Sequence, residues 1–162
     1  TVGFELLLQA ESEPDTLLVP VGGGGLIAGI ALAAKSLNPS IRVIGVQSRA
    51  SCPMVRSFHA GELTDVKFSA SIADGLYGGI TEETLAMVLK FVDDMLVVSE
   101  EEICEAISWL LAEERLVVEG AGAVGAAALL SKRVTVGSGD RVNVVISGGN
   151  IDYDTLRPLL HD

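Results

Sequence analysis

The feature that most narrows the possible folds is the alternation of short β-branched runs with longer helical segments. TLLVP at Thr16–Pro20 reads as a strand, IRVIGV at Ile41–Val46 as a second, MLVV at Met95–Val98 as a third and VNVVI at Val142–Ile146 as a fourth. None alternates cleanly between apolar and polar residues, so each is expected to be covered on both faces, as in parallel sheets. Helices fill the intervals. Leu26–Leu37 is Ala-rich and stops at Asn38-Pro39. Glu100–Arg115 opens on a capping box of Ser99 with Glu102, and Ile103, Ala106, Ile107, Leu110 and Leu111 recur on one helical face. Thr81 caps another helix with Glu82 and Glu83 in its first turn. Gly120–Leu130 is a small-residue helix suited to lying close on a sheet, and Val2–Gln9 reads as the tail of a helix. Ser57–Gly79 has weak periodicity and reads as connecting structure. The expected fold is therefore α/β: a parallel sheet in a three-layer arrangement.

Composition closes off other classes. Hydrophobic residues are 49% and charged residues 20%, which is too apolar for a disordered chain. The longest apolar runs, such as Leu26–Ala34, fall far short of the roughly 20 residues of a membrane span. Twenty-two acidic against 11 basic residues give a net charge of −11, which repels phosphate backbones and anionic lipid; no nucleic-acid or membrane partner is expected. Cys52 and Cys104 form no disulfide framework and read as reduced, buried thiols of a cytoplasmic protein. His59 and His161 lack ligand-spaced partners, so no zinc site is expected. Asp93-Asp94 reads as solvated, Glu100–Glu102 as helix-start charge, and Trp109 as core or interface packing.

Chemistry is concentrated in the glycine-rich turns. Gly22, Gly23, Gly24 and Gly25 follow the first strand and open a helix, so backbone N–H groups can converge on an anion with the helix dipole behind them. A phosphate suits such a turn. No Gly-Lys-Ser/Thr follows, which excludes a P-loop. Gly23, Gly25 and Ala28 satisfy a dinucleotide fingerprint formally, but Gln47 stands where its ribose-binding acid belongs. At the far end, the fourth strand runs into Ser147-Gly148-Gly149-Asn150. In a parallel sheet this turn emerges on the same edge, and a hydroxyl before two glycines can meet a flat heteroaromatic ligand. Glu119 opens a third such turn, EGAGA.

Taken in order and spacing, VPVGGGGLIAG at residues 19–29, IADG at Ile72–Gly75, VVEGAGA at Val117–Ala123 and ISGGNID at Ile146–Asp152 resemble the C-terminal half of the pyridoxal-phosphate enzymes of the threonine/serine dehydratase family, which includes serine racemases. The resemblance implies a tryptophan-synthase-β-like fold (fold type II), with residues 1–162 forming the C-terminal part of the catalytic, cofactor-binding domain. It implies pyridoxal 5'-phosphate as cofactor and conversion of L-threonine or L-serine to a 2-oxo acid and ammonia. Gly22, Gly23, Gly24, Gly25 and the amide of Leu26 would cradle the cofactor phosphate. Ser147 would bond the pyridine nitrogen, Gly75 would present its carbonyl to cofactor and substrate, and Glu119 would lie near the ring.

Two departures qualify the resemblance. Lys35, Lys67, Lys90 and Lys132 are the only lysines, and none lies in the family's Ser-x-Lys-x-Arg-Gly-like context. Without the Schiff-base lysine no catalytic residue is assigned, and this chain by itself is expected to be inactive. Racemase-type members also bind a divalent metal after the second strand. Here Gln47 and Pro53 replace the acids in GVQSRASCP, so no metal is expected there. A start at Thr1 reads as a fragment, a processed product or a trimmed chain, and the short C-terminus without a regulatory domain resembles the catabolic enzymes. The missing half would leave an exposed edge and apolar face, favouring a homo-oligomer or association with an N-terminal half. The alternative is a non-catalytic phosphate- or nucleotide-binding or oligomerisation module.

Overall fold

The computed structural model describes residues 2–160; Thr1 and His161, both used above, lie outside the described residues. At its centre is β1, Thr16–Pro20, every residue of which is buried. It pairs in parallel with β2 (Arg42–Ser48) on one side and β4 (Val142–Val144) on the other, while β3 (Asp94–Val98) lies beyond β2. The order β3-β2-β1-β4 gives a wholly parallel four-stranded sheet.

Helices cover both faces, so strand residues go alternately into two cores. Leu17 and Val19 enter a core built with α1 (Val2–Gln9), α2 (Gly25–Leu37), α3 (Pro53–Ala60) and α4 (Glu82–Phe91). Leu18 enters the other, with α5 (Glu100–Glu114) and α6 (Gly120–Leu130); Leu156 of α7 (Tyr153–Leu156) packs at its margin. This is the three-layer α/β arrangement, and it explains the apolar strands: Leu17, Leu18 and Val19 of β1 pack into one helix-covered core or the other. In α6 every residue from Gly120 to Ala128 is buried, because small side chains let the helix lie between the sheet and α5.

Strand order also locates a functional edge. From β1 to β2 to β3 the chain steps in one direction, then crosses back to place β4 on the opposite flank of β1. The connections leaving the C-terminal ends of β1 and β4 therefore part, one to α2 on the first face and one toward α7 on the second. Such a divergence opens a crevice where ligands of parallel α/β sheets bind.

Several expectations are corrected. Ser57–Gly79 is not all connecting structure. Ser57–Ala60 completes α3, which Pro53 starts and Gly61 ends in a left-handed conformation, and Asp74–Leu76 forms one 3-10 turn. A single eight-residue helix flanked by irregular chain leaves too short a periodic signal to see. β2 runs on to Ser48, and β4 stops at Val144. Arg115 lies outside α5 in the left-handed region, at φ 61°. Asp93 is not simply solvated: it accepts the Val43 N–H at 2.7 Å and pairs with Lys35 at 2.7 Å, tying α2 to the start of β3. Trp109 is 39% exposed and so is not core, and Cys104 is only half-buried while Cys52 is buried. No helix among the described residues is long and apolar enough to cross a membrane.

Candidate functional site

α2 begins without any of the usual closures. Its N-cap is Gly24, held at φ 92°, with no side-chain cap and no acid in the first turn. A left-handed residue at this point turns the chain from strand to helix within four residues, and glycine adopts it without steric cost. Among the described residues, the N–H groups of Gly22, Gly23, Gly24, Gly25, Leu26 and Ile27 have no acceptor; Val21 and Ala28 on either side do. Six adjacent unbonded donors at the positive end of a 13-residue helix make an anion cradle.

The cradle forms one wall of a cleft of about 210 Å³ lined by Pro20–Ile27, Gly75, Leu76 and Ser147. Seven of the eight residues expected from the sequence are thus brought together: Gly22, Gly23, Gly24, Gly25, Leu26, Gly75 and Ser147. The volume is below the roughly 300–1,000 Å³ of a complete small-molecule pocket, as suits a partial site. Ser147 is exposed, and no described group bonds its hydroxyl. A Cβ on Gly25 would meet nothing within 4 Å and would project into open space.

Glu119 does not border this cleft. It lies with Ser71, Asp74, Asn150 and Asp152 in an adjoining recess of about 160 Å³. Its N–H donates to the Gly148 carbonyl at 3.3 Å, and its carboxylate lies so close to Gly148 that a Cβ there would collide with it. It supports the Ser147 turn from behind.

The roof over the cradle is the segment Gly75–Gly79. A Cβ on Gly22 would come within 3.2 Å of the Leu76 carbonyl, and one on Gly23 within 2.9 Å of the Gly79 carbonyl. The glycines therefore admit the roof as well as a ligand.

Gln47, which occupies the place of a ribose-binding acid, faces inward. It is fully buried, donates to the Val21 carbonyl at 3.0 Å and accepts the Val55 N–H at 2.9 Å. It fastens the end of β2 to β1 and closes the first turn of α3, where Cys52 provides no cap. Both ends of its amide are engaged, which leaves nothing for a ribose. Among the described residues no group of three or more His, Cys, Asp or Glu side chains is placed to hold a metal.

The profile of the family described as "Pyridoxal-phosphate dependent enzyme" matches residues 1–148, and the chain belongs to that family. It is 43% identical to the L-threonine ammonia-lyase of Thermotoga maritima over 99% of this chain and 40% of that protein. It is 46% identical to the catabolic L-threonine dehydratase of Escherichia coli over 96% of this chain and 48% of that one. The structure of maize serine racemase superposes with a TM-score of 0.88 at 37% identity, covering 97% of this chain and 49% of that one. The chain thus has the tryptophan-synthase-β-like fold and is threonine/serine dehydratase-like in sequence. It spans less than half the length of the curated relatives it matches.

The cleft suits the family's cofactor on its own chemistry. Backbone donors fit a phosphate, Gly25 leaves room for it, and the Ser147 hydroxyl is free to meet a ring nitrogen.

Proposed function

We propose that this chain supplies the phosphate cradle and the ring-nitrogen partner of a pyridoxal-phosphate-dependent threonine/serine dehydratase, which converts L-threonine or L-serine to a 2-oxo acid and ammonia, the water lost with the β-hydroxyl being taken up again when the resulting imine hydrolyses. The carrying observation is the row of six acceptor-free N–H groups opening, with Ser147, into one cleft at the point where the sheet's connections diverge. Pyridoxal phosphate, when bound, supplies an electron sink for charge developing at the substrate Cα. Gly22 to Leu26 would hold its phosphate with main-chain donors, which stay fixed as charge moves elsewhere. Ser147 would accept or donate one hydrogen bond at the pyridine nitrogen. Unlike a carboxylate it cannot hold that nitrogen protonated, so the sink is moderate and suits loss of a β-hydroxyl better than transamination. Gly75 and the roof would shield the ring from water, and Glu119 would brace the Ser147 turn.

The same reading holds that these residues alone do not turn over substrate. No lysine lines the cleft. Lys35, on the cradle's own helix, lies about 15 Å further along the axis, where Asp93 and the Pro39 and Ile41 carbonyls hold it. Side-chain choice among β-hydroxy amino acids would fall largely to residues outside this chain.

The test is titration with pyridoxal 5'-phosphate followed by ³¹P NMR, then mixing with a segment carrying a Ser-x-Lys-x-Arg-Gly-like motif and assaying ammonia release from L-threonine. Phosphate binding by the chain, and ammonia only from the mixture, are the expected results. Protection from thermal unfolding by NAD, with none from pyridoxal phosphate, would overturn the proposal in favour of a nucleotide module.

A further inference from the structure

Of the three acidic residues that open α5, Glu102 and Glu100 behave differently. Glu102 closes its own helix. It accepts the Ser99 N–H at 2.7 Å and pairs with Arg133 at 2.7 Å. Glu100 accepts its hydrogen bonds not from its own helix but from two other parts of the chain. One carboxylate oxygen accepts from the hydroxyls of Ser48, at the end of β2, and of Ser71; the other accepts the Ile72 N–H at 2.7 Å. Each hydroxyl is itself fixed, Ser48 by the Ala50 N–H and Ser71 by the Ala73 N–H, both at 3.0 Å. Ser48, Ser71 and Glu100 are buried or half-buried, so these charge-assisted bonds are sheltered from competing water.

The segment held in this way leads directly into the roof. Ala73 accepts from Leu76, and Asp74 from Tyr77, to form the 3-10 turn that carries Gly75 to the cleft. Behind it, the carbonyl of Ile72 lies so close to Gly120 that any side chain there would collide. The roof has no strand or long helix of its own to order it. It is tied by the Tyr77 hydroxyl, which donates to the Ser69 carbonyl at 2.6 Å, and by the chain that leads into it at residues 71–73.

We propose that Glu100 is a positioning residue for the cleft: through Ser48, Ser71 and the Ile72 amide it fixes the Gly75–Gly79 roof over the tetraglycine cradle. The ligand in this statement rests on the cofactor reading above; the ordering of the roof does not. Without the pin the roof would occupy its closed place only part of the time, and apparent affinity would fall in proportion to that fraction.

The test compares Glu100→Ala, Glu100→Gln and Glu102→Ala in the whole chain, by hydrogen–deuterium exchange without ligand and by ³¹P NMR titration with pyridoxal 5'-phosphate. Glu100→Ala is expected to lose amide protection over residues 72–77 and to bind the phosphate about tenfold more weakly. Glu100→Gln should recover most of both. Its amide oxygen can take the Ile72 N–H while its NH2 donates to hydroxyl oxygens that serve equally as acceptors. Glu102→Ala, which opens the same helical turn and breaks an ion pair, should lower the melting temperature yet leave protection and affinity as they are. Unchanged exchange over residues 72–77 in Glu100→Ala overturns the proposal whether or not the cofactor binds. Lost protection with unchanged affinity overturns the link to the cleft. If the wild-type chain takes up no pyridoxal phosphate, the cofactor reading fails, and the exchange data still decide whether Glu100 orders the roof.

Discussion

Two helices start at the same edge of the sheet and do so in opposite ways. α5 follows β3 through Ser99, whose hydroxyl accepts the Glu102 N–H while the Glu102 carboxylate accepts the Ser99 N–H, with three acids in the first turn. α2 follows β1 through Gly24, with no cap bond and no acid. Helix starts leave several N–H groups without internal partners, and a chain normally closes them with its own side chains. Where it does so, the end is finished structure. Where it does not, the donors stay open to a group from outside, such as the phosphate proposed above. The contrast between two equivalent positions in one molecule says more about α2 than its glycine count does.

The contrast can be broken by making α2 resemble α5. Gly25→Asp adds an acid at a position where a Cβ has open space, so the fold should persist and the melting temperature should hold or rise slightly through the helix dipole. The same carboxylate would take up the donors and repel phosphate. Affinity for pyridoxal 5'-phosphate should fall about 100-fold, roughly 3 kcal/mol, the scale of one or two charge-assisted bonds. Calorimetric titration beside a thermal melt checks both; a variant that binds as well as wild type would mean that the cradle is not the phosphate site.

The converse change is smaller. Ser99→Ala should cost about 1 kcal/mol in urea unfolding, as N-cap losses generally do, and leave affinity within about twofold. A larger effect on binding than on stability would show that α5 does more than close itself at Ser99.

The smallest effect is in the pH dependence. Burial pushes the Glu102 carboxyl up, but the Ser99 N–H and the Arg133 guanidinium outweigh it and hold the group below its ordinary value of 4.5. A carboxylate with a lowered folded-state pKa contributes stability that is complete above the unfolded value and lost as pH falls through the folded one. Melting temperatures taken from about pH 6 down to about pH 3 should therefore decline less steeply for Glu102→Gln than for wild type. Parallel curves would remove Glu102 from the account. α2 has no acid in its first turn and contributes no such slope.

What local sequence could show, it showed well. Thr16–Pro20, Gly120–Leu130 and Val2–Gln9 occupy their expected spans, because apolar runs, small-residue periodicity and capping residues act over a few neighbours. The cleft residues other than Glu119 were equally legible, since a run of glycines and a hydroxyl before two glycines are themselves local patterns. α3 was missed because a single eight-residue helix leaves too short a periodic signal, and Gln47 looked like a failed ribose ligand because its carbonyl partner at Val21 is distant in sequence.

The amino-acid sequence by itself determined which segments become strands and helices and that the turn after β1 is built of backbone. Only the tertiary structure decided that β4 lies beside β1 and β3 does not, which brings Ser147 to the cradle and opens the crevice between diverging connections. It also decided that Glu100 looks away from its own helix toward Ile72, 28 residues upstream. The physical reason is that propensity and capping are settled among near neighbours. Strand order and side-chain partners across tens of residues are settled by how two cores are filled at once.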